Sequence, residues 1–121
     1  MLDPKSVPLS PARRAGNLLF LSGQVAFDEA GRMAPPDIET QTRQIFRNIE
    51  AVLNANAASL GDVVSASVFL ANEKDFQPFN AVYARYFPAN PPTRTTVIAQ
   101  LLAGAIVEIT VVADLGTEPD A

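Results

Sequence analysis

Any chemistry this chain performs is done without cysteine or histidine, because the sequence contains neither. That removes thiolate nucleophiles, disulfides, Cys-ligated metals, zinc-binding helices, Ser–His–Asp triads and imidazole acid–base steps. Carboxylates, Arg, Lys, Tyr, hydroxyls, backbone groups and water remain, and no metal is expected. Arg94 stands in the rigid stretch Pro91-Pro92-Thr93-Arg94-Thr95-Thr96. Taken alone it is an ordinary strand arginine. Glu108 lies between Val107 and Ile109, where a carboxylate is costly unless it is paired, protonated or turned to solvent. If it is not a plain surface residue, it can orient a water and take its proton. Gly23, after Ser22, permits close backbone approach to another group, or simply ends a strand.

The elements that carry these residues follow from periodicity. Ala12 to Gly16 and Leu18 to Gln24 read as two strands joined at Gly16-Asn17, a dipeptide that readily takes positive φ. Residues 28–37, with Gly31 and Pro35-Pro36, read as a loop. Ile45, Phe46, Ile49, Val52 and Leu53 fall on one helical stripe, with Asp37 as N-cap and Gly61 as stop. Val63 to Ala71 reads as a strand with Val64, Ala66, Val68 and Leu70 on one face. A second helix spans Phe76 to Phe87, capped by Asp75, with Pro78 in its first turn. Its stripe of Phe76, Phe79, Tyr83 and Phe87 is assigned to the core. Thr93 to Leu101 and Ile106 to Leu115 complete the strands, around a turn at Ala103-Gly104. Residues 1–8 are expected to be an irregular lead-in, and the acidic tail after Gly116 to be frayed.

The order is β-β-α-β-α-β-β in one domain over residues 1–121, an α+β arrangement. Two helices in strand–helix–strand crossovers cover one face of the sheet. The last strand is nevertheless apolar on both sides, with Val107, Ile109, Val111 and Ala113 opposite Ile106 and Val112. Its uncovered face calls for another subunit. With a net charge of -4 and only nine scattered Lys and Arg residues, the chain lacks the basic patch that nucleic-acid binding requires. No apolar run approaches a bilayer span of ~20 residues, and the N-terminus lacks signal-peptide features. No nucleic-acid or membrane partner is expected, and the compartment is read as cytoplasmic.

Three segments carry a resemblance. Ala15-Gly16-Asn17 with Leu21-Ser22-Gly23-Gln24 is similar to the "AGN…SGQ" signature of the RidA/YjgF family. Phe79-Asn80-Ala81-Val82-Tyr83 with Phe87 resembles its "FNxVYxxFF" helix. Pro91-Pro92-Thr93-Arg94-Thr95-Thr96-Val97 and then Val107-Glu108-Ile109 resemble its "PPxRTxV…VEI" close. The match runs in order from about residue 8 to 114.

The resemblance implies a chorismate-mutase-like fold, a mixed sheet with two helices on one face, built into a homotrimer with sites between subunits. It implies hydrolysis of 2-enamine or 2-imino acids, such as 2-aminoacrylate, to 2-keto acids and ammonia, with no cofactor. Arg94 would clamp the substrate carboxylate through two parallel, charge-assisted hydrogen bonds. Glu108 would aim the water. Ser22 and Gly23 would orient the substrate, with Asn80 and Thr96 as further pocket residues. Asn80 has a plain alternative as a helix brace, and Thr96 as a pocket wall.

This sequence departs from the family pattern in places. Leu9 replaces the usual Tyr, which favours bulkier apolar substrates and leaves open a specialised relative acting on another catabolic enamine. The stretch between Arg94 and Glu108 is one residue shorter than usual, Leu102 stands where Pro is common, and Thr110 replaces a second Glu. A non-catalytic trimer that binds small carboxylates is the alternative from another class. Retention of Glu108 beside Arg94 argues against it, since sensing needs only the clamp. RNA cleavage, sometimes linked to the family, fits the acidic composition poorly.

Overall fold

The protein, described by a computed structural model over residues 6–116, forms one mixed sheet with two helices against it. Most of the expected lead-in and the tail beyond Gly116 lie outside the described residues. Strands β1 (Ala12–Ala15) and β2 (Leu18–Leu21) make a hairpin in which Ala15 pairs with Leu18. Gly16 turns it at φ +60, a conformation a side chain resists. Helix α1 (Ile38–Ala55), strand β3 (Val63–Leu70), helix α2 (Phe76–Tyr86), strand β4 (Thr93–Ile98) and strand β5 (Val107–Asp114) follow. The sheet order is β1-β2-β5-β3-β4. Only β3 and β4 run parallel, joined through α2, and the remaining pairs are antiparallel.

The core lies between the helices and one face of the sheet. Ile45, Phe46, Ile49 and Leu53 from α1 and Phe79 and Tyr83 from α2 meet Leu19, Leu21, Ala66, Val68, Leu70 and Ile109. Val107, Ile109, Val111 and Ala113 are all buried on that side, as alternation along the last strand requires. Asp37 caps α1 as expected. Its Oδ2 accepts from the Thr40 backbone N–H at 2.9 Å and the Thr40 hydroxyl at 2.8 Å. These bonds hold the Asp37 carboxyl below its ordinary pKa, the backbone bond contributing most.

Several boundaries differ from the sequence reading, each for a local reason. Helix α1 ends at Ala55, where the C-cap Asn56 donates its backbone N–H to Leu53 and its side chain bonds back to Val52. Gly61 instead lies in a separate 3-10 turn, Leu60–Asp62. Val64 leaves the face of Ala66, Val68 and Leu70, because the ladder shifts register between Val63 and Ser65. That bulge buries Val63 and turns Val64 out. Asp75 makes no side-chain cap, since a 3-10 turn over Glu73–Asp75 runs directly into α2. The helix stops at Tyr86, and Phe87 leaves helical geometry before Pro88. Phe76 is 36% exposed rather than core. Strand β2 stops at Leu21 and β4 at Ile98, short of the expected Gln24 and Leu101.

Among the described residues no helix covers the second face of the sheet. Leu18, Phe20 and Val97 are exposed there, flanking Ser65, Ser67, Thr93, Thr95, Glu108 and Thr110. Among the described residues no helix is long and apolar enough to cross a membrane.

Candidate functional site

The sheet sorts the candidate residues onto two sides. Arg94 pairs with Ala66 and Thr96 with Val68 in the parallel β3–β4 ladder. Both therefore project from the helix-covered side, at the sheet edge. Glu108 pairs with Phe69 and projects from the uncovered side. Within one chain Arg94 and Glu108 do not meet.

At the edge, α2 and β4 assemble the first half. The Arg94 guanidinium donates from Nη2 to Asn80 Oδ1 at 2.7 Å. Three aromatic rings surround it, with centroids 4.8 Å (Tyr83), 5.6 Å (Phe79) and 5.8 Å (Phe76) from its central carbon. Ring faces attract a guanidinium through their quadrupole. Among the described residues no carboxylate pairs with Arg94, so its remaining N–H donors stay open to an anion. Burial raises the Tyr83 phenol pKa, and the Arg94 charge opposes that shift. Thr96 lies beside this half, lining a cavity of about 530 Å³ with Glu73, Lys74, Phe76, Gln77 and Ile98.

On the uncovered side, Gly23 brings backbone against the Glu108 carboxylate. A Cβ at Gly23 would fall on Glu108 Oε2 and lie 2.9 Å from Thr110 Oγ1, so a side chain there would have to push the carboxylate away. Glu108 is half-buried without a basic partner among the described residues. Burial pushes its carboxyl above the ordinary value of 4.5. Ser22 follows Leu21 out of β2. Its hydroxyl donates to the Ser10 carbonyl at 2.6 Å, and its N–H to that of Pro11 at 3.0 Å. These bonds hold residues 10–11 alongside Ser22, just beyond the Ala12–Leu21 pair of the hairpin. Leu9 and Ser22 thereby line one cavity of about 530 Å³, with Pro8, Ser10, Arg13, Phe20 and Leu21.

The structure thus joins Asn80, Arg94 and Thr96 in one half and Gly23 with Glu108 in the other, while Leu9 and Ser22 line a cavity that neither Gly23 nor Glu108 lines. The first half is aromatic and cationic, and the second holds a lone desolvated carboxylate beside a glycine. Among the described residues no group of three His, Cys, Asp or Glu could hold a metal ion.

The family model described as Endoribonuclease L-PSP matches residues 3–115. A RutC family protein of Sulfurisphaera tokodaii is 42% identical over 116 residues, 93% of each chain. The chain belongs to the RidA/YjgF family. Within that family it is 39% identical to the chloroplastic Reactive Intermediate Deaminase A of Arabidopsis thaliana, covering 89% of this chain and 59% of that one. The crystal structure of RidA from the Antarctic bacterium Psychrobacter sp. PAMC 21119 superposes with a TM-score of 0.85 at 33% identity, covering 90% of this chain and 89% of the other. Yeast Mmf1 gives 0.87 at 31%, over 92% and 90%. The mixed five-stranded sheet with two helices is therefore the RidA-type fold.

The α2 aromatics have a second role beyond the core that periodicity alone assigns them. Phe79 and Tyr83 are buried, and they also face Arg94. The signal was present: Phe76, Phe79, Asn80 and Tyr83 share one helix face at spacings of three and four, and Asn80 already belonged to the candidate site. Thr110, which in sequence only replaces a family Glu, lies beside Gly23. Its approach depends on where the chain leaves β2, which no local pattern encodes.

Proposed function

We propose that this RidA/YjgF member is a homotrimeric, cofactor-free deaminase that hydrolyses 2-imino acids and their enamine tautomers to 2-keto acids and ammonia. One observation carries the reading: the unpaired Arg94 and the desolvated Glu108 lie on opposite sides of the same sheet. Each is half of a site that a second copy would complete. The β4 edge of one subunit, set against the uncovered sheet face of the next, would join Arg94 to Glu108 of the partner subunit. A head-to-tail contact of this kind closes into a ring when the rotation permits, and three copies give three equal sites. The exposed Leu18, Phe20 and Val97 on the uncovered face supply apolar area for such a contact.

In the proposed reaction Arg94 holds the substrate carboxylate, which fixes the adjacent C=N carbon in space. Glu108 accepts a proton from water as the water oxygen bonds to that carbon. The C=N electron pair moves to nitrogen, which takes the proton back from Glu108. The carbinolamine hydroxyl then gives its proton to Glu108, which passes it to the amino nitrogen, and the C–N bond breaks to release ammonia as the oxygen electron pair forms the keto group. The raised pKa of Glu108 suits a group that both takes and returns a proton, because its two forms lie closer in energy near neutral pH than those of an exposed Glu. The compartment is read as cytoplasmic, although relatives include proteins named chloroplastic and mitochondrial.

A specialised relative with a bulkier enamine substrate is the second reading, and Leu9 favours it. Beside Phe20 and Pro8 it makes an apolar wall in the cavity next to Ser22.

Subunit mixing tests the first reading. Trimers of Arg94→Ala and of Glu108→Gln should each be nearly inactive on imines generated by an amino-acid oxidase. In a mixed trimer one junction always joins an intact Arg94 to an intact Glu108. Random mixing should therefore restore about a quarter of wild-type activity. Mixtures as inactive as their parents would mean that Arg94 and Glu108 do not form a shared site.

A further inference from the structure

Arg94 differs from Arg43 and Arg85 on the helices, which pair with a carboxylate. It differs also from Arg47, whose exposed side chain donates to the Gln44 amide oxygen at 3.1 Å with no ring over it among the described residues. Arg43 and Arg85 both reach Glu39 at 3.6 Å, and on the loop Arg32 reaches Asp28 at 3.8 Å. The chain has thirteen acidic residues for nine basic ones, so carboxylates are plentiful. Around Arg94, however, stand three aromatic rings and one neutral amide. Ring quadrupoles and an amide oxygen stabilise a cation without cancelling its charge. A carboxylate in the place of Asn80 would stabilise it more strongly and also occupy it.

We propose that Phe76, Phe79, Asn80 and Tyr83 are positioning residues, a neutral cradle that orients the Arg94 guanidinium and leaves its charge available to an anion. The proposal rests on the reading of Arg94 as the carboxylate clamp. The cradle is itself held in place. Tyr83 packs against Phe79, Phe87 and Phe46 with centroids 5.4, 4.9 and 6.0 Å apart, and Phe79 and Tyr83 are buried. Ala66, the ladder partner of Arg94, is small and buried, which leaves room for the guanidinium to lie against α2. One N–H is used on Asn80, and the donors that remain are aimed by a fixed plane. A flexible arginine would lose conformational entropy each time a ligand ordered it.

The test measures binding, so it does not depend on turnover. The full-length protein is titrated with 2-oxobutanoate, the stable keto-acid product of such a reaction, and with its neutral amide, 2-oxobutanamide. The acid-over-amide ratio isolates the Arg94 charge. Asn80→Asp places an acid against the guanidinium, and should weaken 2-oxobutanoate binding about tenfold or more while changing the amide by less than about twofold. Phe76→Leu, at a half-exposed position, should lower the ratio by about threefold, with Phe76→Tyr recovering most of that loss. Light scattering should show the same mass for every variant.

An Asn80→Asp protein that keeps the wild-type ratio would overturn the cradle, as would equal losses for acid and amide, the mark of a merely structural role. Were the wild type to bind acid and amide alike, with Arg94→Ala changing neither, the clamp would fail and the cradle with it.

Discussion

The two halves of the candidate site are built by opposite strategies. Arg94 is surrounded: an amide at 2.7 Å and three rings within 5.8 Å hold a charge that no carboxylate among the described residues neutralises. Glu108 is merely deprived. It is partly desolvated, has no basic partner among the described residues of its own chain, and rests against a glycine whose lack of a side chain leaves it room. A guanidinium keeps its proton in any protein environment and needs only orientation. A carboxylate that must take and return a proton needs its pKa moved, and desolvation does that. Rigidity on one side and desolvation on the other match a binding group and a proton-transfer group.

The largest expected effect breaks the Glu108 half. Glu108→Gln should lower kcat about 100-fold, the low end of general acid–base contributions, with little change in affinity for 2-oxobutanoate. It should also change stability in a definite direction. Because the folded pKa of Glu108 is raised, its protonated form favours folding. That favourable contribution is complete below the unfolded value and is lost as pH rises through the folded one. The Gln variant lacks this dependence, so it should be more stable than wild type at neutral pH and lose the advantage below about pH 4. Denaturant midpoints at the two pH values decide the sign. A variant less stable than wild type at neutral pH would show that the partner subunit's Arg94 outweighs the desolvation of Glu108 in the assembly.

Next comes the Arg94 half. Lys keeps the charge but offers a point on a flexible stem, and cannot set the plane of a carboxylate. Arg94→Lys should cost at least about tenfold in kcat/KM, and Arg94→Ala more, with assembly intact, since misplacing the reacting carbon by about 1 Å can cost roughly 100-fold. A Lys variant within about a factor of two of wild type would leave Arg94 only a steering or structural role.

Gly23→Ala sharpens the comparison, because it disturbs the carboxylate without removing it. The new methyl would displace Glu108 Oε2. The expected loss is about fivefold in kcat at unchanged 2-oxobutanoate affinity, smaller than for Glu108→Gln because the acid survives. An affinity loss of the same size would place Gly23 in substrate binding instead. The smallest effect belongs to Leu9. Leu9→Tyr adds a hydroxyl and an aromatic wall to the cavity shared with Phe20 and Ser22. It should shift the kcat/KM ratio of branched-chain to alanine-derived imines about threefold toward the smaller substrate. No shift would put Leu9 outside the pocket.

What the sequence determined by itself was whatever depends on near neighbours along the chain. The absence of His and Cys set the permitted chemistry. The Asp37 cap, the Gly16 turn and the α1 stripe each follow from spacings of two to four residues, and each stands in the structure. The outer side of β5, by contrast, is less apolar than expected, because Ile106 precedes Val107–Asp114 and packs against the core. Element ends failed where a longer-range constraint intervened. Val64 left its face because a bulge shifts the β3 register against β5, and Phe76 left the core because it sits at the edge of α2 beside Arg94.

Only the tertiary structure decided on which side of the sheet each candidate lies. Strand alternation says that Arg94 and Thr96 share a side, as do Glu108 and Thr110, but one strand's alternation has no phase relative to another's until they are paired. The ladders Ala66–Arg94 and Phe69–Glu108 supply that phase through β3. They set Arg94 against the rings of α2 and Glu108 on the open face. Hydrogen-bond register between strands distant in sequence, rather than any motif, divided the candidate site into two halves.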